Sequence, residues 1–93
     1  MLRRIESGIS AKSLEPSYLS WVKSCAVQLG LKGVAFIKSD GSVKVIAEGE
    51  DKNLTVFAKK IGKYNFLSPL ENFYVKWEET IGEFKEFAVT TGQ

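Results

Sequence analysis

Thirteen lysines and arginines, eleven aspartates and glutamates, one cysteine and no histidine set the chemistry open to this chain. Without histidine there is no Ser-His or Cys-His nucleophile pair, no imidazole base and no histidine metal ligand. Cys25 alone can neither close an intramolecular disulfide nor build a zinc site. No metal and no cofactor is therefore expected. What remains is anion binding by cations, hydroxyls and backbone N–H groups, and chemistry that works through placement and charge. The segment Ile9-Ser10-Ala11-Lys12-Ser13-Leu14-Glu15 is the place to look. Lys12 could serve as a point charge for an anion, with Ser10 and Ser13 as hydroxyl partners; the alternative is an exposed polar loop. The segment has no glycine, although a tight anion nest usually needs positive φ, and Glu15 adds a negative charge. Arg3 and Arg4, the only arginines, are expected to solubilise an end of the fold. They are also the remote candidates for a guanidinium that reaches this loop.

These residues must be positioned by elements, and the patterning supplies them. A chain of 93 residues, 44% hydrophobic and 26% charged, is that of one ordinary globular domain, taken here as residues 1–93. A net charge of +2 is too balanced to imply a nucleic-acid or membrane surface. No apolar run reaches the ~20 residues of a membrane helix, and Met1-Leu2-Arg3-Arg4 lacks a signal peptide's apolar region, so a cytoplasmic location is expected. Leu2 to Ile9 reads as a strand. Glu15-Pro16 reads as a helix start, followed by Tyr18, Trp21, Val22, Cys25, Ala26 and Leu29 as one apolar stripe, with Gly30 as its stop. Cys25 on that stripe is a small buried hydrophobe, and Trp21 and Trp77 are packing mass. Lys23, opposite the stripe, is solvated.

Two alternating runs, Val34 to Ser39 and Val43 to Glu48, flank Asp40-Gly41, a hairpin signal that predicts a type I′ turn. Asp51 is the expected cap of a second helix with Leu54, Phe57, Ala58 and Ile61 on one face, ended by Gly62. After a loop containing Pro69, residues 73–78 alternate again, and a short strand around Phe84 to Val89 follows. The order βαββαβ with an extra C-terminal strand predicts an α+β, ferredoxin-like sandwich, with an antiparallel sheet and two helices on one face.

Leu29-Gly30-Leu31-Lys32-Gly33, Asp40-Gly41-Ser42-Val43 and Glu48-Gly49 together resemble the middle of the acylphosphatase family. Val75-Lys76-Trp77-Glu78-Glu79 followed by Gly82-Glu83-Phe84 and Phe87 resembles its last two strands, and Ile5-Glu6-Ser7-Gly8 is compatible with its first. The resemblance implies metal-free hydrolysis of small acyl phosphates. In that family a loop patterned G-x-V-Q-G-V-x-F-R wraps N–H groups and an arginine around the phosphate, and an asparagine on the second strand positions water. Counting from either side places the asparagine at Ile37, which can neither donate nor accept a hydrogen bond. The arginine falls at Leu19 counted back from Leu29, or at Pro16 counted forward from Gly8; neither is a cation. The two counts differ by three, so this loop is longer than the family's. Losing one preorganised donor typically costs ~10²–10³ in turnover, and here two roles are gone.

Lys32-Gly33-Val34-Ala35-Phe36-Ile37 also resembles part of the RNA-recognition-motif signature. Val34 and Ser39 stand where its aromatics belong, however, and the segment follows the first helix rather than lying one strand later. The sequence therefore predicts an acylphosphatase-like domain that does not hydrolyse acyl phosphates and acts as a small binding or interaction module. Phosphate, a small acyl phosphate or an unidentified protein would be its partner, with no membrane. The alternative is a divergent active acylphosphatase, releasing carboxylate and phosphate, with Lys12 or an N-terminal arginine as the cation. A third reading is an RNA-binding module using Phe36 and Tyr74; nucleic acid is disfavoured by the charge balance.

Overall fold

A computed structural model describes residues 1–11, 17–63 and 70–90. The elements are β1 (Leu2–Ala11), α1 (Ser17–Gln28), β2 (Lys32–Ile37), β3 (Val43–Glu50), α2 (Asp51–Ile61), β4 (Leu70–Glu79) and β5 (Phe87–Thr90). Lys12, Ser13, Glu15, Pro16 and Pro69 lie outside the described residues.

The strands form one sheet in the order β4-β1-β3-β2-β5. Four of them pair antiparallel, as expected, but β5 runs parallel to β2, so the sheet is mixed. The reason is topological. β4 and β5 occupy opposite edges, so residues 80–86 must cross one end of the sheet before β5 can start, and that crossing leaves β5 aligned with β2. Phe84, expected within the last strand, sits in this crossing.

Ile5, Ser7 and Ile9 of β1, Val43, Val45 and Ala47 of β3, and Ala35 of β2 face the helices and are buried. Period-two alternation thus gives the sheet one apolar face, which the helical stripes cover. The stripe of α1 consists of Tyr18, Leu19, Val22, Cys25 and Ala26; Trp21 and Leu29, expected in it, flank it half-buried. Leu31 N–H bonds back to Ala26 O at 2.9 Å, and Gly30, at φ 71°, makes that reversal possible. In α2, Leu54, Phe57 and Ile61 are buried. Tyr18 Oη donates to Ile61 O at 2.9 Å, satisfying a carbonyl that the end of α2 leaves open and tying the helices together. The one buried hydroxyl on the inner face of β1, Ser7, donates to Tyr74 O at 2.8 Å.

Two local expectations are corrected. Asp51 opens α2 as its first residue rather than capping it, and Glu50 before it makes no side-chain cap. β3 runs straight into the helix, and the Asp51 N–H donates to Met1 O at 3.0 Å instead. The Asp40-Gly41 hairpin is not type I′, because no described non-glycine residue has positive φ. Gly41 N–H bonds Lys38 O at 2.9 Å and Lys38 N–H bonds Ser42 O at 2.7 Å, while Gly41 alone is left-handed at 88°. That is a type I turn closed by a glycine bulge. Asp40 Oδ1 accepts from the N–H and hydroxyl of Ser42 at 2.9 and 2.6 Å, which holds Asp40 in the right-handed region and its carboxyl below the usual range. No helix among the described residues is long and apolar enough to cross a membrane.

Candidate functional site

β1 and β2 each run antiparallel to β3, so their C-terminal ends, Ala11 and Ile37, lie at one end of the sheet, where residues 12–16 connect to α1. Ile37 is the last residue of β2, opposite Val43, and packs half-buried against the core. Leu19, in the first turn of α1, is 5% exposed and belongs to the core itself. Ser10 is not in a loop: β1 extends through it and pairs it with Asn72. Ser10 lies on the outer face with Gly8, beside a shallow cleft of about 260 Å³ that Lys38 and Lys44 also line. The structure therefore brings Ile37 and Leu19 to the inner side of this end and sets Ser10 on the other face. Lys12, Ser13 and Pro16 fall outside the described residues.

The arginines lie at the opposite end. Arg4 is seven residues from the end of β1, about 23 Å at ~3.3 Å per residue, so it cannot reach the β1–α1 connection. Nor does it solubilise an end. Arg4 is buried on the outer face, with Nη1 donating to Glu48 Oε2 at 3.0 Å and to Glu83 Oε1 at 2.9 Å. Its Nε is 3.4 Å from Glu78 Oε1 but not aligned for a hydrogen bond, so that N–H stays unsatisfied. Burial pulls the guanidinium pKa down, but the hydrogen bonds and charges of Glu83 and Glu48 outweigh it and the net direction is up.

Glu48 also accepts from Ile81 N–H at 2.9 Å and Gly82 N–H at 3.0 Å. Its burial raises the carboxyl pKa, while bonds from Ile81, Thr80, Arg4 and Gly82 together hold it below the usual range. This network pins residues 80–86 across the sheet end; it is structural clamp, not anion site. Arg3 is held over Trp77, 5.4 Å from its ring centroid, and is 3.9 Å from Asp51. Sequence alone offered no sign of the clamp, since Arg4, Glu48 and Glu78 alternate on strands as solvent-facing residues would.

On the outer face, Phe36, Lys44, Gly8 and Tyr74 form one row across β2, β3, β1 and β4. Phe36 and Tyr74 are thus three strand spacings apart, about 14 Å, too far to stack one base. The Tyr74 ring lies on Gly8, where a Cβ would collide with it, and its hydroxyl donates to Glu6 Oε2 at 3.2 Å. Lys44 is paired with the same carboxylate at 3.0 Å, which draws the Glu6 pKa down and the Lys44 pKa up. Tyr74 is thus a packing element of a polar face.

A two-layer α+β sandwich whose two helices cover one face of a 4-1-3-2-5 sheet defines the ferredoxin-like class. The sequence pattern of the acylphosphatase family matches residues 16–89. An acylphosphatase from Thermus thermophilus is 34% identical over 65 residues, covering 70% of this chain and 74% of that protein. The chain belongs to the acylphosphatase family. Its fold superposes on the crystal structure of an acylphosphatase from Bacillus subtilis with a TM-score of 0.84, at 19% identity, covering 97% of this chain and 99% of that one. It also superposes on full-length HypF in its phosphate- and nucleotide-bound form with a TM-score of 0.84, at 22% identity, covering 98% of this chain and 12% of HypF.

Proposed function

We propose that this member of the acylphosphatase family binds rather than hydrolyses, and that residues 1–93 work as one small binding module. One observation supports the reading: Ile37, where counting along the chain puts the family's water-holding asparagine, is a hydrocarbon side chain packed against the core. Water placed there would meet no fixed donor or acceptor from that residue, and orientation is what the family's chemistry needs. The position matching the arginine, counted back from Leu29, is Leu19, whose burial favours the fold and offers no charge. Counted from Gly8 the same role falls on Pro16, equally without charge. The N-terminal arginines, committed to Glu48, Glu83 and Trp77 at the far end, supply no substitute. Phosphate or a small acyl phosphate held by the β1–α1 connection, with Lys12 and Ser13 as its polar groups, is the ligand class the family points to. A protein partner is the other. HypF, in which the same fold occupies a small share of a longer chain, is a precedent for such a segment within a larger assembly.

The test is hydrolysis of acetyl or benzoyl phosphate by the purified protein. Release of phosphate no faster than in buffer is expected. Saturable turnover that scales with protein concentration would replace this reading with an active, divergent acylphosphatase.

A further inference from the structure

α1 and α2 do not close against each other along their solvent side. Between them lies a cleft of about 600 Å³, walled by Trp21, Cys25 and Val56 and rimmed by Lys59, Lys60 and Lys63. Its size falls within the ~300–1,000 Å³ typical of small-molecule sites. The wall is mostly apolar, with Ser24 and Gln28 as its polar members. Trp21 is stacked on the buried Tyr18 ring at 5.9 Å, Cys25 is buried, and Val56 is 43% exposed at the opening. Burial pushes the Cys25 thiol up, against the opposing charge of Lys60, so this wall stays neutral at ordinary pH.

The rim is one-signed. No carboxylate lines the cleft, and none of its three lysines is in an ion pair among the described residues. Several acids of the sheet and its far end, by contrast, are engaged: Glu6 with Lys44, Glu48 and Glu83 with Arg4, Glu50 with the N-terminus. Within the helical layer, α1 has no acid, and the only acid of α2, Asp51, is at its far end beside Arg3. Lysines in the last turn of α2 suit its dipole, which accounts for Lys59 and Lys60 as charges. It does not account for the apolar lining beside them. An inorganic anion would use the rim and waste the wall; a neutral hydrocarbon would do the reverse.

We propose that this cleft binds a small amphipathic organic anion, a carboxylate or phosphate monoester on a short alkyl or aryl body. The anionic head is held by Lys59, Lys60 and Lys63, and the body lies against Trp21, Cys25 and Val56. None of these residues is Ile37 or Leu19, so the site is separate from the positions that match the family's catalytic pair and does not depend on whether those positions support hydrolysis.

The experiment is a two-dimensional NMR titration of the full chain with hexyl phosphate, compared with inorganic phosphate and with hexanol. Saturable shifts of the Trp21 indole N–H and the Val56 methyls are expected, with the Trp77 indole as an unmoved internal control. Each half-ligand is expected to bind at least about tenfold more weakly, a factor worth ~1.4 kcal/mol. The variant K59Q/K60Q/K63Q changes exposed side chains only and is expected to weaken hexyl phosphate about tenfold or more with the fold intact, as its unchanged core resonances would show. Equal binding of hexanol, equal binding by the triple variant, or no saturable shift up to about 10 mM would overturn the proposal. So would shifts confined to residues around Leu19 and Ile37, which would assign the anion to the end of the fold that matches the family's site instead. Binding of an acidic helical peptide without binding of hexyl phosphate would likewise overturn it and give the cleft to a protein partner.

Discussion

Leu19 and Ile37, on which the proposed loss of hydrolysis rests, both have a place in the packing of the fold. A buried leucine contributes about 1.5–3 kcal/mol through its removal from water, so the fold has a use for Leu19 that an arginine could not fill. Leu19→Ala is expected to lower stability by about 2–4 kcal/mol in urea unfolding. Leu19→Arg should cost at least about 3 kcal/mol, because the guanidinium would enter a core with no counter-charge. Neither it nor Ile37→Asn alone is expected to raise acetyl phosphate hydrolysis above buffer, since placement and charge act together in that reaction. Ile37→Asn, at a half-buried site, should unfold only slightly earlier than the parent. A large gain in turnover from Ile37→Asn by itself would mean that a cation already stands within reach of residue 37.

At the scale of elements, hairpins and glycines govern how the strands register. Gly41 carries the only positive φ of its turn and its missing Cβ faces open space. Gly41→Ala is therefore expected to cost only the left-handed backbone penalty, about 1–2 kcal/mol. Gly33 is different. Its φ is 154°, and a Cβ there would run into the Ile46 carbonyl of β3, a central strand that cannot yield. Gly33→Ala should cost at least about 2 kcal/mol by overpacking. Because Gly33 N–H also donates to Glu86 O at 3.0 Å, loss of amide protection in β5 is expected along with it. Amide hydrogen exchange on the two variants checks the contrast: local opening at the hairpin for Gly41→Ala, loss across β2, β3 and β5 for Gly33→Ala.

For the whole molecule, the far end of the sheet is held by charges and the helical layer by packing. Glu48, with a pKa below its ordinary ~4.3, adds stability that is present above that value and lost as pH falls through its lower folded value. Wild-type stability is thus expected to decline below about pH 4.5. Glu48→Gln should be less stable at pH 7, by about 3 kcal/mol or less because Arg4 keeps Glu83, and its acid limb should be shallower. Urea unfolding at a series of pH values checks both. An acid limb unchanged in Glu48→Gln would remove this network as its source. The order of elements, the helix stripes, the stop at Gly30 and the burial of Cys25 were legible in the chain, because apolar periodicity and a left-handed glycine are local properties. So was the identity of residues 19 and 37, on which the proposed loss of hydrolysis rests. Local pattern could not say that β5 aligns with β2, that Arg4 is buried among carboxylates, or that Lys59 and Lys60 of α2 and Lys63 just beyond it share a cleft with Trp21. Those facts depend on which strand ends and helix sides meet across long stretches of chain, and only the packed molecule brings them together.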